Sequence, residues 1–194
     1  MYKLKINTEK FTLRQQLALK NCNILGRGLE IGPSMNPIAP KKQGFNIDIM
    51  DHLNRQELIE KFAVHPNMPE NLDEIIEEVD FVWNGQKYAE LIGETGQYDF
   101  VISAHLMEHI PNLIQHLRDC SQLLKKDGIY SAIIPDKRYM FDYFRQVTTT
   151  GDCIDNYLNG LINHSKGSNV DYFLNIVMRN KKIAWSKSEF SEEV

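Results

Sequence analysis

An α/β fold with a doubly wound, mostly parallel sheet is predicted by three observations. Short apolar runs at residues 28–31, 45–50, 79–83, 98–103 and 129–134 have the length and composition of strands. Helix-like segments separate most of them, the order expected of parallel strands joined by crossovers. The first two runs carry acids at their carboxyl ends, Glu30 next to last in the first and Asp51 just past the second, at the strand tips where open α/β sheets receive their ligands.

The chain has 194 residues, 42% of them hydrophobic and 25% charged. That length suits one domain, with 1–25 as an N-terminal helical cap, 26–135 as the α/β core and 136–194 as a helical C-terminal segment. The formal net charge of −4 argues against a nucleic-acid partner, which calls for a basic face. Three widely spaced cysteines, Cys22, Cys120 and Cys153, form no C-x-x-C. They fit buried thiols in a reducing compartment rather than a disulfide or zinc framework, so no metal is expected. The N-terminus lacks an apolar signal core and no run is long enough to span a membrane, so the expected location is cytoplasmic.

The first element is a helix over 8–20, capped by Thr8, with Phe11, Leu13 and Leu17 partly on one face. The first strand follows and leads into Gly28-Leu29-Glu30-Ile31-Gly32-Pro33-Ser34. Gly32 permits a close backbone approach by a ligand, and Glu30 sets a negative charge at the mouth. A phosphate site would avoid that charge, whereas an ammonium or sulfonium could use it. Pro33, Pro37 and Pro40 prevent a regular helix from starting at once, so 34–42 is a wandering loop. The second strand, 45–50, ends at Asp51, about 20 residues past Gly32, where a carboxylate can accept both ribose hydroxyls. A plain helix-entry Asp is the alternative. Asn54 and Glu57 form a capping-box pattern, and Leu58 and Phe62 share a face of the helix it opens.

Residues 79–83 read as a strand edge before an Asn84-Gly85 turn. Asp80 can accept from an adenine amino group while Phe81 packs against the base, or it can be an ordinary loop residue. The run 98–103 is a buried strand, followed by Ala104-His105-Leu106-Met107-Glu108-His109. Leu113, Ile114, Leu117, Cys120, Leu123 and Leu124 recur at helical spacing, with Lys125 and Lys126 at the helix end and Gly128 closing it. Strand five, 129–134, runs into Pro135-Asp136-Lys137-Arg138-Tyr139. Beyond 140, Ile154, Tyr157, Leu158, Leu161 and Ile162 fit one amphipathic helix, and Val170, Phe173, Leu174 and Val177 fit another capped by Ser168. No strand is expected after them, and 186–194 reads as a polar, frayed tail.

Glu30-Ile31-Gly32-Pro33, Asp51, Ser103-Ala104-His105 with Glu108-His109, and Pro135-Asp136-Lys137-Arg138-Tyr139-Met140-Phe141-Asp142 stand here in order. Together they resemble the class I S-adenosylmethionine-dependent methyltransferases of the type 11 kind. The closer likeness is to a bacterial group associated with surface-polysaccharide genes. The resemblance spans about residues 26–185 and implies a Rossmann-like methyltransferase fold. It further implies S-adenosylmethionine as cofactor and S-adenosylhomocysteine as product. Glu30, Gly32 and Pro33 would flank the methionine part, Asp51 the ribose, and Asp80 with Phe81 the adenine. Ser103, Ala104 and His105 would line the pocket beneath the sulfonium.

A sugar hydroxyl needs a general base, and His105, just past strand four, is the first candidate. His109 is the second, or else it locks its turn beside Glu108. Asp136, Lys137, Arg138 and Tyr139 suit a phosphorylated or nucleotide-linked sugar, since Arg grips phosphate bidentately, although a helix-entry salt bridge would use the same residues. The usual glycine-rich first loop is reduced to one glycine and a proline, and the usual C-terminal strand pair of the sheet is lacking. The exposed sheet edge would then be covered by a helix, a second copy in a homodimer or a partner. Two functions follow. One is methyl transfer to a small or carbohydrate acceptor, by O-methylation in surface-polysaccharide precursor biosynthesis. The other is a cofactor-binding or partner subunit of a glycan-modifying complex. A nicotinamide dehydrogenase is disfavoured, since no G-x-G-x-x-G follows the first strand.

Overall fold

The computed structural model describes residues 6–64, 68–179 and 182–183, with side chains for all of these except 179, 182 and 183. The chain forms two compact units, Met1–Met107 with Leu117–Ile133, and Glu108–His116 with Ile134–Val194.

The first unit is built on strands β1 (Gly28–Ile31), β2 (Ile47–Asp51), β3 (Phe81–Val82), β4 (Tyr98–Ala104) and β5 (Leu124–Ile133), ordered β3-β2-β1-β4-β5. All pairings are parallel. This is the expected doubly wound, Rossmann-like parallel sheet. Its central strands are apolar on both faces because both are covered. Leu29, Ile31, Met50 and Val101 pack on one side with Tyr88, Cys120 and Leu123. Ile47, Phe100 and Ile102 pack on the other with Ala18, Leu19, Ile38 and Ala39. Fully buried side chains such as Leu29 and Phe100 each stabilise the fold by about 1.5–3 kcal/mol.

The helices of this unit are α1 (Leu13–Ala18), α2 (Arg55–Ala63), α3 (Leu72–Ile75), α4 (Tyr88–Ile92) and the second half of α5 (Leu113–Leu123). The expected helix over 8–20 is instead a 3-10 turn, Thr8–Lys10, followed by α1. The cap is Thr12 rather than Thr8, because Thr12 and Gln15 form a reciprocal capping box. Its buried face carries Gln15, Ala18 and Leu19, while Leu13 and Leu17 are exposed. The Asn54–Glu57 capping box of α2 is present as expected, and Leu58 and Phe62 pack together in a satellite core.

Helix α5 ends at Leu123, and Leu124 already pairs with Tyr98. The ladder then shifts register between Tyr98 and Phe100, and Asp127 takes the left-handed backbone, at φ +66°. Gly128 therefore does not close the helix. A Cβ there would approach Tyr98 O and Lys125 O to 3.1 and 3.0 Å, so close packing is its constraint. Lys125 bonds Asp99 at 2.7 Å rather than the helix end.

The second unit holds the start of α5, α6 (Thr150–Leu158), α7 (Lys166–Leu174) and an antiparallel pair, β6 (Met178–Arg179) with β7 (Lys182–Ile183). Thr149 and Asp152 form a capping box on α6. Leu161 and Ile162 lie beyond its end, and α7 is capped by Ser165 rather than Ser168. The β6–β7 pair was not expected; it forms a sheet of its own and does not extend the five strands. The expected polar tail, 186–194, lies outside the described residues. Phe141 is buried against Tyr172 at 5.8 Å, edge to face, and the Asn156 side chain donates to Pro111 O at 3.0 Å. Among the described residues no helix is long and apolar enough to cross a membrane.

Candidate active site

Strand β1 delivers Glu30 to the sheet face that also carries Gly28, and β2 delivers Asp51 to the same face two residues past Ile49, the partner of Glu30. Beyond β1 the chain turns sharply. Gly32 sits at φ +67° and Ser34 at φ +47°, the left-handed region that glycine enters at least cost. A Cβ at Gly32 would lie 3.1 Å from Leu106 Cδ1, so the backbone there is closely approached.

The expectation that Glu30 presents a fixed charge at an open mouth is corrected. Glu30 is 1% exposed. Its carboxylate accepts the Ile38 and Ala39 amides at 2.7 and 3.0 Å. Burial outweighs these bonds and pushes the group up to about 7.

Asp51 is also buried. Its Oδ2 accepts from the Ser34 amide at 2.9 Å and the Ser34 hydroxyl at 3.3 Å. Its Oδ1 accepts from the His52 amide at 2.8 Å and faces His52 Nδ1 at 2.6 Å. Lys61 Nζ lies 2.8 Å from His52 Nε2. Pro33, Ser34, Pro37, Leu58 and Val79 close around this carboxylate and leave no room for a water molecule. The donor set still suits an adenosyl ligand, because Asp51 already accepts from a hydroxyl and a ribose supplies hydroxyls.

Asp80 accepts from the Ile49 amide at 2.7 Å and pairs with Lys41 at 2.5 Å. Its carboxylate joins the β2–β3 edge to the loop after β1. Phe81 is half-buried with the cluster around Met50. On β4, the Ser103 hydroxyl bonds the Tyr130 hydroxyl at 2.7 Å, Ala104 is half-buried, and His105 is exposed. His105 closes the strand at φ +52°, and its amide donates to Ile133 O at 2.9 Å.

The second unit contains a cavity of about 510 Å³. Glu108, His109, Lys137, Arg145, His164 and Tyr172 are among the residues lining it. His109 Nε2 stands 4.0 Å from Glu108 Oε1, and the His109 carbonyl faces His164 Nε2 at 3.0 Å. Arg145 bonds Asp171 at 2.9 Å and the Ser168 hydroxyl at 2.7 Å. Of the four residues 136–139, only Lys137 lines the cavity. Asp136 caps the 3-10 turn Lys137–Tyr139 and holds Arg138 through both oxygens, and that pairing lowers its carboxyl to about 2. This is the helix-entry salt bridge left open above. Tyr139 lies beside Arg138, whose guanidinium is 5.8 Å from its ring.

Sequence reading missed Ser34, His52, Lys61, Arg145 and His164. His52 adjoins Asp51 and Lys61 lies about two helical turns past the Asn54 cap, so local spacing could have found these two. Ser34 reaches Asp51 only through the left-handed turn after β1. Arg145 and His164 carry no local signal. Among the described residues no group of three His, Cys, Asp or Glu side chains is placed to hold a metal ion.

No curated protein matches the sequence. Among solved structures, one similar chain is described as a sarcosine dimethylglycine methyltransferase from Galdieria sulphuraria. It is 18% identical, with 56% of this chain and 39% of that chain covered and a TM-score of 0.36. A second is the trans-methyltransferase CalH in complex with SAH, at 16% identity, 77% and 39% coverage and TM-score 0.39. A third is the CurJ carbon methyltransferase, at 14%, 88% and 48%, and 0.41. The chain thus spans less than half the length of each of these three. A family model described as a methyltransferase domain matches residues 3–163, most of the sequence, and the chain belongs to that methyltransferase family.

Proposed function

We propose that this protein is an S-adenosylmethionine-dependent methyltransferase acting on a small or carbohydrate acceptor. The transfer is to a hydroxyl, in cytoplasmic synthesis of surface-polysaccharide precursors. The observation that carries the reading is Asp51, a buried carboxylate at the tip of β2 that accepts from a hydroxyl beside the left-handed turn after β1. When bound, the cofactor supplies a methyl group on a good leaving group, open to in-line displacement. The chain's own residues then bind, orient and exclude water. Asp51 takes the ribose, Gly32 and Pro33 shape the backbone beside the methionine part, and Glu30 fixes that loop from beneath. Asp80 and Phe81 border the adenine, while Ser103 and Ala104 floor the pocket. His105, exposed at the tip of β4, accepts the acceptor's hydroxyl proton, with His109 as the second candidate. Within the second unit, Lys137, with Asp136, Arg138 and Tyr139, is suited to a polar or phosphorylated group, and Arg145 lines the same cavity as Lys137.

A partner-subunit reading is favoured by one observation. Asp51 is closed in by Ser34 and its neighbours with no room for a water molecule, as in a chain that needs a second copy or another protein to open the crevice. Calorimetric titration with S-adenosylhomocysteine, followed by methyl-transfer assays on a panel of sugar nucleotides, tests both. Binding with turnover supports the enzyme. Binding with turnover only on adding a second protein supports the subunit. No binding overturns the cofactor assignment.

A further inference from the structure

Asp51 bears four hydrogen-bond contacts, which occupy the acceptor capacity of a carboxylate. Three lie at 2.6–2.9 Å: the Ser34 amide, the His52 amide and His52 Nδ1. The fourth, the Ser34 hydroxyl, lies at 3.3 Å, beyond the usual O–H···O range. It is also the one contact made by a freely rotating hydroxyl, and a ligand hydroxyl can replace it like for like.

The imidazole contact is fixed from its far side. An ammonium can only donate, so Lys61 Nζ, 2.8 Å from His52 Nε2, makes Nε2 the acceptor. Nδ1 then carries the hydrogen and gives it to Asp51 Oδ1. Lys61 itself stands on α2, whose start is pinned by the Asn54–Glu57 box. The terminal torsion of an Asp is broad, and the His52 ring, itself held by Lys61, joins the Ser34 and His52 amides in fixing the carboxylate plane.

We infer that His52 is a positioning residue: it and Lys61 hold the Asp51 carboxylate in the plane that receives a ribose hydroxyl in exchange for that of Ser34. The inference rests on the assignment of Asp51 to the ribose, and the test separates the two. S-adenosylhomocysteine and its 2′-deoxy analogue are titrated by calorimetry into the unaltered protein, His52→Ala, His52→Asn and Asp51→Asn, with melting temperatures measured alongside.

The expected result is a loss of about tenfold in S-adenosylhomocysteine affinity for His52→Ala, from one charge-assisted hydrogen bond. Its preference over the 2′-deoxy analogue collapses. His52→Asn, whose amide nitrogen can stand in for Nδ1, regains most of both, and the melting temperatures stay close. If His52→Ala keeps affinity and preference while Asp51→Asn loses them, the inference falls and the ribose assignment stands. If Asp51→Asn keeps the preference, or the unaltered protein binds neither ligand, the ribose assignment falls and takes the inference with it. If both His52 variants lose binding equally with a large drop in melting temperature, His52 is structural and the inference is wrong.

Discussion

Glu30 and Asp51 stand on the same sheet face and grip one loop at two points. Asp51 holds the Ser34 amide, and Glu30 holds those of Ile38 and Ala39. This loop contains three prolines and lies outside the sheet ladder, so its buried amides need acceptors from elsewhere. Glu30→Ala leaves two such amides unsatisfied and opens a cavity. The expected loss is about 3 kcal/mol, read as a lower urea midpoint with an unchanged slope.

The same carboxylate makes stability depend on pH. Its folded value is raised from 4.5 to about 7. Between those values the unfolded chain has already released a proton that the folded chain retains. Stability from this group is therefore fully present below about pH 4.5, falls as pH rises, and levels off above about 7. The expected span is about 3 kcal/mol. Glu30→Gln should flatten that decline relative to the unaltered protein in urea titrations at pH 5 and 7.5. An unchanged difference between the two pH values would show that Glu30 is ionised throughout.

Much of the frame was legible in the sequence. The strands were readable because runs such as 98–103 are apolar on both faces, and α2 because Asn54 and Glu57 satisfy each other locally. The start of α1 was misplaced although Thr12 and Gln15 carry the same local signature. The position of Asp51 at a strand tip followed from periodicity. Its partners did not, since Ser34 reaches it through a left-handed turn that neither Pro33 nor Ser34 announces. The burial of Glu30 was equally hidden, because it depends on the loop returning Ile38 and Ala39 under the sheet.

Gly28 illustrates a constraint of packing rather than conformation. A Cβ there would come within 2.2 Å of the Phe100 ring and 2.6 Å of Ile47 Cδ1. Gly28→Ala must displace two core side chains and should destabilise by about 1–3 kcal/mol. Thermal denaturation with and without Phe100→Leu checks the cause, since the smaller partner should recover part of the loss.

Ser34 and Asp51 should respond oppositely to substitution. Asp51→Asn removes a charged acceptor and should weaken S-adenosylhomocysteine binding by about 1–3 kcal/mol. Ser34→Ala removes only the long hydroxyl contact and keeps the amide, so affinity should hold or rise. A comparable loss in both variants would make the Ser34 hydroxyl a ligand contact in its own right.

His105 separates stability from chemistry. It occupies the left-handed region at φ +52°, which costs a residue with a Cβ roughly 1 kcal/mol more than glycine. His105→Gly should therefore be about 1 kcal/mol more stable than His105→Ala, as measured by urea unfolding. If His105 is the base, both variants should lose turnover to a similar degree while binding S-adenosylhomocysteine as tightly as before. The strained backbone is then retained for the position of the imidazole, a common arrangement where a scaffold holds a reacting group. If both variants instead keep turnover, the proton goes elsewhere and His109 becomes the residue to replace next.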